Sequence, residues 1–490
     1  MKKSRTDFFN SEKVVEVRKV ALSMKRRLQM IAANQEEYGE DYARLRFPEE
    51  AELEEAGRQR EALLQELADR VEIGCGGTKL DMNNLSPGCR ICAEGGWSCL
   101  FISGRCNCDC FYCPTDQSEL GLPTTNSVAF RHPADYVAYL ERFGFSGASL
   151  SGGEPLLTPG RSLGFLSAIK RHFGDRLHVW LYTNGTLLTE GLVLQLRDAG
   201  LDEIRVDIGA TDYNLKALRL AASRIPTLTV EIPAIPEEVQ RLKQLLPALR
   251  DAGVQHLNLH QLRLTPYNYP RLQPRNYRYL HGEKVTVLDS ELAALEILHH
   301  ALTQRIELPL NYCSFVYKNR FQARAARQRN APFVAKPHED LTPAGYLRTL
   351  TLIGEREPLA ALAVRLEEGA GRNDLWSLAR SGEQLCVHPL LWPLIDLEGL
   401  KLRISYAGAR QLSHLSYRNP FTQVELSPRQ KLIVERARAC PDFELEPDQA
   451  EQFARLFLLN QPPFETLPED GLWDEIGAFE QLREGLQEYF

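Results

Sequence analysis

The chain has 490 residues, an apolar fraction of 43%, a charged fraction of 25% and a formal net charge of −7. These values describe a globular chain of roughly three domains with enough apolar residues for a sizeable core. They exclude a global field for polyanions, so a nucleic-acid partner needs a local basic patch. No run approaches about 18 consecutive apolar residues, and the first residues lack the apolar core of a signal peptide. The expectation is a cytoplasmic protein with no membrane span.

Residues 1–72 read as a helical hairpin. Val14, Val17, Ala21, Met24, Leu28 and Ile31 recur at steps of three and four, and Leu53, Ala56, Leu63, Leu67 and Val71 form a second stripe after Pro48. Helical periodicity stops at Gly74-Cys75-Gly76-Gly77. Eight of the eleven cysteines fall between Cys75 and Cys113. One dense cysteine block in a large chain indicates a metal protein in a reducing compartment rather than a disulfide scaffold. In residues 73–96, Cys89-x2-Cys92 has the gap that lets two thiolates reach one metal. With Cys75 and Cys99 it makes a four-thiolate candidate for zinc or an iron–sulfur cluster, and ligand softness does not separate the two. Cys99 is the weakest member, because it falls within an expected strand.

From residue 97 short apolar runs alternate with amphipathic stretches. Strands are expected at 98–103, 147–151, 177–182, 203–208, 227–232 and 256–262. Helices are expected at 133–143, 162–173, 189–199, 215–223 and 236–252. The alternation predicts an α/β fold, a parallel sheet with crossover helices. Six units are too few for a closed eight-fold barrel, which leaves a partial (β/α)6 barrel or a doubly wound sheet. In either, chemistry collects at the C-terminal strand ends.

Those ends are polar. After the first strand comes Arg105-Cys-Asn-Cys-Asp-Cys-Phe-Tyr-Cys-Pro114, in which Cys106, Cys110 and Cys113 have the spacing C-x3-C-x2-C. A short loop with that spacing can aim three thiolates at one centre. On a four-iron cluster, three ligands leave one iron open. Cys108 points away from its neighbours if the loop is extended, and is read as a non-ligand. The second strand ends in Gly152-Gly153-Glu154-Pro155, where glycines admit close backbone approach and Glu154 can accept from an ammonium. Later ends carry Asn184, Asp207, Glu231, Asn258 and His260. The last two are equally well explained as satisfied core residues.

Cys106-x3-Cys110-x2-Cys113, the aromatic Tyr112 before the third cysteine, and Gly152-Gly153-Glu154-Pro155 at the next strand together resemble the radical S-adenosylmethionine (SAM) superfamily. The resemblance covers about residues 97–265 and, with Cys313, extends to the part of that superfamily related to pyruvate formate-lyase activating enzyme. It implies a [4Fe–4S] cluster on the three cysteines and SAM on the open iron. It also implies Gly152, Gly153 and Glu154 on the methionyl ammonium, backbone near Tyr112 on the adenine, and Asp207, Asn184 or Glu231 on ribose or carboxylate. A reductant such as flavodoxin or ferredoxin would supply an electron, and SAM would yield a 5′-deoxyadenosyl radical that abstracts hydrogen from a substrate. The extra domains favour a peptide, protein or RNA. The competing reading is a non-catalytic iron–sulfur or zinc protein that carries electrons or binds a partner.

Beyond the core, expected at 97–275, residues 276–340 contain a helix at 289–304, Asn311-Tyr312-Cys313-Ser314, and the basic run Lys318, Arg320, Arg324, Arg327, Arg329 and Lys336. Arg320, Arg324 and Arg327 share a helical face. That face leaves RNA binding open against a solvated face paired with acidic residues. Cys313 is read as a distal metal ligand, a radical-relaying thiol or a buried residue. Residues 341–490 form an accessory α+β and helical extension, with a strand at 400–406 and helices at 429–439 and 448–459.

Overall fold

The computed structural model describes residues 24–81, 85–369, 373–415, 417–459 and 471–490. Its centre is a sheet of eleven strands. Seven of them run parallel: β1 (Trp97–Ser103), β2 (Gly147–Gly152), β3 (His178–Thr183), β4 (Glu203–Val206), β5 (Thr227–Pro233), β6 (His256–His260) and β7 (Leu310–Cys313). Four two-residue strands extend the two edges, Ile73–Gly74 and Lys79–Leu80 beyond β7, Thr124–Thr125 and Val128–Ala129 beyond β1. The α/β fold of parallel strands and crossover helices therefore stands. β7 is the strand that sequence reading left outside the sheet, because its Asn-Tyr-Cys run lacks apolar alternation. It is set by parallel pairing with β6, with Asn258 opposite Asn311 and His260 opposite Cys313.

Side chains alternate across each strand, so one sequence serves two faces. Ile204, Val206, Leu228, Val230 and Ile232 point into the main apolar core. The intervening Glu203, Arg205, Thr229 and Glu231 share the opposite face. Helix 239–251 covers the apolar side through Val239, Leu242, Leu246 and Leu249, spaced by three and four residues.

The N-terminal hairpin is present as helices Met24–Tyr38 and Glu50–Leu67. Val14, Val17 and Ala21 lie outside the described residues. The expected stripe does not dock the first helix: Met24 and Leu28 are exposed, and the buried residues are Asn34 and Tyr38. Asn34 Nδ2 donates to the Gly282 carbonyl at 3.1 Å. The second helix is held by Arg60, whose guanidinium bonds Glu291 at 3.1 Å and the Gln487 carbonyl at 2.7 Å.

Residues 340–445 build a second sheet, of eight strands, with its own apolar core. The expected strand at 400–406 lies within Lys401–Leu412. The expected helix at 429–439 is instead the strand Gln430–Arg438, paired on one side with Phe421–Ser427 and on the other with Lys401–Leu412. Leu432-Ile433-Val434 is an apolar run with two β-branched residues, Ile433 and Val434, whose cross-strand packing overrides the helical spacing of the neighbouring charges.

In the basic run Lys318 and Lys336 are exposed, but Arg320, Arg327 and Arg329 are not a solvated face. The run forms a short π-helical turn, Lys318–Gln322, and a helix, Ala323–Asn330. Arg320 donates to the Gly485 carbonyl at 2.9 Å, Arg327 to the Ala344 carbonyl at 2.7 Å, and Arg329 to the carbonyls of Phe143 and Gly95. Arg329 also lies 4.2 Å over the Phe145 ring. These guanidiniums tie segments of the chain together. Arg329→Ala is expected to lower unfolding free energy by about 1.5–3 kcal/mol, the range for hydrogen bonds from a charged donor. Chemical denaturation checks this, and a change within about 0.5 kcal/mol, as at an exposed site, would return Arg329 to the surface reading.

Candidate functional site

The first four strand ends converge on the cysteine loop. The loop passes over the start of the turn after β2 with two backbone bonds, Gly153 N to the Ser103 carbonyl and Glu154 N to the Arg105 carbonyl, each 2.8 Å. Gly152 has φ +133°, and a Cβ there would stand 2.1 Å from the Ser103 oxygen. At Gly153 a Cβ would stand 2.3 Å from the Arg105 oxygen. The two glycines are therefore demanded by the loop above them.

Cys106, Cys110 and Cys113 line one cavity of about 280 Å³, together with Tyr112, Gly152, Gly153, Asn184, Asp207 and Glu231. Cys108 lines it too, contrary to the reading of an extended loop. The stretch has no strand conformation and bends at residue 107, so alternation does not apply. Among the described residues no three His, Cys, Asp or Glu side chains stand at metal-binding spacing, so ligation requires the thiols to close inward. The donor set fits an iron–sulfur cluster. It is all sulfur, and amides are aimed at it: Gln117 Nε2 at Cys113 Sγ, and Asn184 Nδ2 at Cys106 Sγ, 3.7 Å away. Hydrogen bonds to cluster sulfurs are among the levers that set its potential.

The structure gives Glu154 a different task from the one expected. It is fully buried and is not among the cavity-lining residues. Its carboxylate accepts from Asn184 N at 2.7 Å, Leu156 N at 2.9 Å and Thr183 Oγ1 at 2.9 Å. Burial raises its pKa, and these donors oppose the rise. Glu154 thus fastens the turn after β2 to the end of β3, while Gly152 and Gly153 face the cavity.

Asp207 does face it. The Tyr112 hydroxyl donates to both of its oxygens, at 3.0 and 2.9 Å, and Gly209 N to one at 3.0 Å. Burial pushes Asp207 up to about 6 despite those bonds. Burial also opposes charge on Glu231, but Arg205, His260 and Asn258 together outweigh it and hold the carboxyl below its ordinary value. Arg205 Nη1 reaches Glu231 at 2.7 Å. Sequence reading did not assign Arg205 or Lys318, and both line the cavity. Arg205 was detectable in principle, since it lies two residues before Asp207 on the same strand face. Lys318 was not, because it arrives from beyond β7.

The second cysteine group is only partly gathered as expected. Cys99 lies on β1, its thiol bonded to Ser149 and Ser151 and its charged neighbours being Lys318 and Glu231. The thiol that acts on both Cys75 and Cys92 is Cys313.

Residues 100–254 match the family model of the radical SAM superfamily. A protein of Methanocaldococcus jannaschii, provisionally named a glycyl-radical enzyme activating enzyme, is 28% identical over 361 residues, which is 71% of this chain and 94% of that protein. A GTP 3′,8-cyclase of Parasynechococcus marenigrum is 35% identical over 120 residues, 23% of this chain and only 33% of the cyclase. A structure of Streptococcus suis SuiB bound to its precursor peptide SuiA matches 45% of this chain and 49% of that one at 12% identity, with a TM-score of 0.33, too low to bear on fold or function. The family match over residues 100–254 and the long M. jannaschii alignment make the chain similar to the radical SAM superfamily and, within it, to the activating enzymes. That similarity supports an enzyme that uses SAM and a [4Fe–4S] cluster. No helix among the described residues is long and apolar enough to cross a membrane.

Proposed function

We propose that the chain holds the cluster on Cys106, Cys110 and Cys113, binds SAM in the cavity beneath them, and abstracts hydrogen from a peptide or protein substrate. The observation that carries this is one cavity shared by the three thiols, the Gly152-Gly153 backbone and the carboxyls of Asp207 and Glu231. Cys106, Cys110 and Cys113 would hold the cluster, and a cluster held there would supply the one-electron chemistry that cleaves SAM reductively. The chain's own groups do the binding. The glycine backbone admits the methionyl end at short range. Asp207, fixed by Tyr112, accepts hydroxyl donors, and Glu231, kept charged by Arg205, faces cationic groups. Residues from β2 to β6 wall the cavity, and a bound substrate would complete the exclusion of water that a primary carbon radical requires. A protein substrate agrees with the name of the M. jannaschii relative, 94% of whose length aligns. A flavodoxin or ferredoxin is the proposed reductant, and the cytoplasm the proposed compartment.

The test is anaerobic reconstitution, reduction with dithionite, and quantification of 5′-deoxyadenosine and methionine. Equal amounts of both are expected from wild type and none from Cys110→Ala. A fully assembled cluster that yields neither product refutes the reading.

A further inference from the structure

We propose that Cys75, Cys89, Cys92 and Cys313 form a second, four-thiolate metal centre, with Cys313 rather than Cys99 as the fourth ligand and Lys79 as its buried counter-charge. The centre binds zinc or an iron–sulfur cluster, and it does not depend on SAM cleavage at the first site.

Three separate chain segments are brought into one neighbourhood, in which, as at the first site, the thiols must turn inward to ligate. Helix Pro87–Ala93 carries Cys89 and Cys92. Its N-terminus is fixed on the sheet floor, where Gly88 N donates to Glu203 at 2.9 Å and Ser86 Oγ accepts from Arg205 at 3.2 Å. Cys313 ends β7 and pairs directly opposite Lys79 of the adjoining antiparallel strand. Cys75 begins the turn that leads into that same strand. Thr78 N and Oγ1 both donate to the Cys75 carbonyl, and the Thr78 carbonyl in turn accepts from Ser314 Oγ at 2.6 Å. The residue after Cys313 therefore clamps the turn that presents Cys75.

The surroundings are those of thiolates. Asn258 Nδ2 donates to Cys89 Sγ at 3.1 Å, and Gln322 Nε2 donates to Cys92 Sγ at 3.0 Å. The Tyr317 hydroxyl lies 3.3 Å from Cys92 Sγ. Asn258 is itself oriented by Asn311, two residues before Cys313, at 2.8 Å. Amide and hydroxyl donors converging on buried sulfur are the outer-shell arrangement that orients metal ligands. Lys79 is 1% exposed, its Nζ 5.1 Å over the Tyr317 ring. Its strongest electrostatic partners are Cys313, Cys89 and Cys92, ahead of Glu231. An ammonium out of water needs compensating negative charge. Four thiolates on zinc, or on an oxidised four-iron cluster, carry a net dianion that supplies it.

Cys99 lines a cavity with Cys92 and Gln322, but its leading electrostatic partners are Lys318 and Glu231 rather than Lys79 or the other thiols. It is on β1, across the sheet from β7 at the other end of the parallel run. Its thiol is occupied by two serines.

The experiment uses full-length protein in a Cys106/Cys110/Cys113→Ala background, so that only the second centre is counted. Iron, sulfide and zinc are measured after anaerobic purification and reconstitution. One bound zinc, or iron and sulfide in equal amounts with a cluster spectrum, is expected, and the two results identify the metal. Adding Cys313→Ala should abolish or markedly reduce this metal, while adding Cys99→Ala should leave it unchanged. A background protein with no bound metal overturns the centre, and loss with Cys99→Ala but not with Cys313→Ala overturns the ligand assignment. Alkylation of the wild-type protein needs no folded variant. Cys75, Cys89, Cys92 and Cys313 should be protected together and become reactive together when a chelator strips the metal, with Cys99 unaffected. Cys313 labelling that ignores the metal refutes the assignment.

Discussion

Gly153→Ala is expected to lower the rate of 5′-deoxyadenosine formation by about a hundredfold or more, with the protein still folded. An added Cβ would sit 2.3 Å from the Arg105 oxygen and 2.6 Å from the Gly104 oxygen, both backbone atoms that cannot rotate aside. Reaching ordinary contact means moving the loop by about 1 Å, and misplacement on that scale at a reacting centre costs about 10²-fold. The same bonds that carry the loop, Gly153 N to Ser103 and Glu154 N to Arg105, would be stretched with it. Iron content and product formation are measured beside Gly160→Ala, a helix position with nothing within 4 Å of an added Cβ. Wild-type turnover in Gly153→Ala would show that the loop does not depend on this close approach.

The second large effect is on stability. Glu203→Gln should destabilise the fold by about 3–5 kcal/mol near neutral pH, the cost of removing one partner from a buried ion pair. Glu203 is fully buried, and its carboxylate meets Arg205 Nε at 2.8 Å, Thr229 Oγ1 at 2.9 Å, Gly88 N at 2.9 Å and the His178 ring at 3.1 Å. Burial alone would raise its pKa, but Arg205 and the other donors outweigh it and hold the carboxyl far below the ordinary value of 4.5. Because the folded-state value is depressed, the group stabilises the protein fully above the unfolded value. That contribution is lost as pH falls below about 4.5 toward the folded value. Urea denaturation of both proteins from pH 7 to pH 3 should show the difference shrinking in the acid range. A gap that stays constant throughout would mean that Glu203 is not the titrating partner of Arg205.

Glu203 also shows how a structural group supports the site without touching it. It anchors the helix that bears Cys89 and Cys92. Through Arg205 it connects to Glu231 on the cavity wall. One ionic network thus spans the floor between the two groups of cysteines.

How much of this was legible varied with distance along the chain. Cys106, Cys110 and Cys113 lie within eight residues, and their spacing is a local property that any fold must respect. The Gly-Gly requirement was readable as close approach, though what approaches, the carbonyls of Ser103 and Arg105, was not. Glu154 was read from its residue type, which suits an ammonium, while the three protein donors that reach its carboxylate come from backbone and a neighbouring strand and leave no local pattern. The strand at 430–438 was mistaken for a helix for a related reason: its partners, not its own spacing, set its conformation.

The amino-acid sequence alone therefore determined the α/β alternation, the three-thiolate loop and the family, because those depend on short periods and fixed gaps. Tertiary structure alone decided that Cys313 comes within electrostatic range of Cys75 and Cys92, that Arg320, Arg327 and Arg329 are consumed inside the molecule, and that a seventh parallel strand completes the floor. Several of these pairings join residues far apart in the chain, 186 positions for Arg329 and Phe143 and still more for Cys92 and Cys313, and they follow from strand register and helix docking, which leave no local pattern.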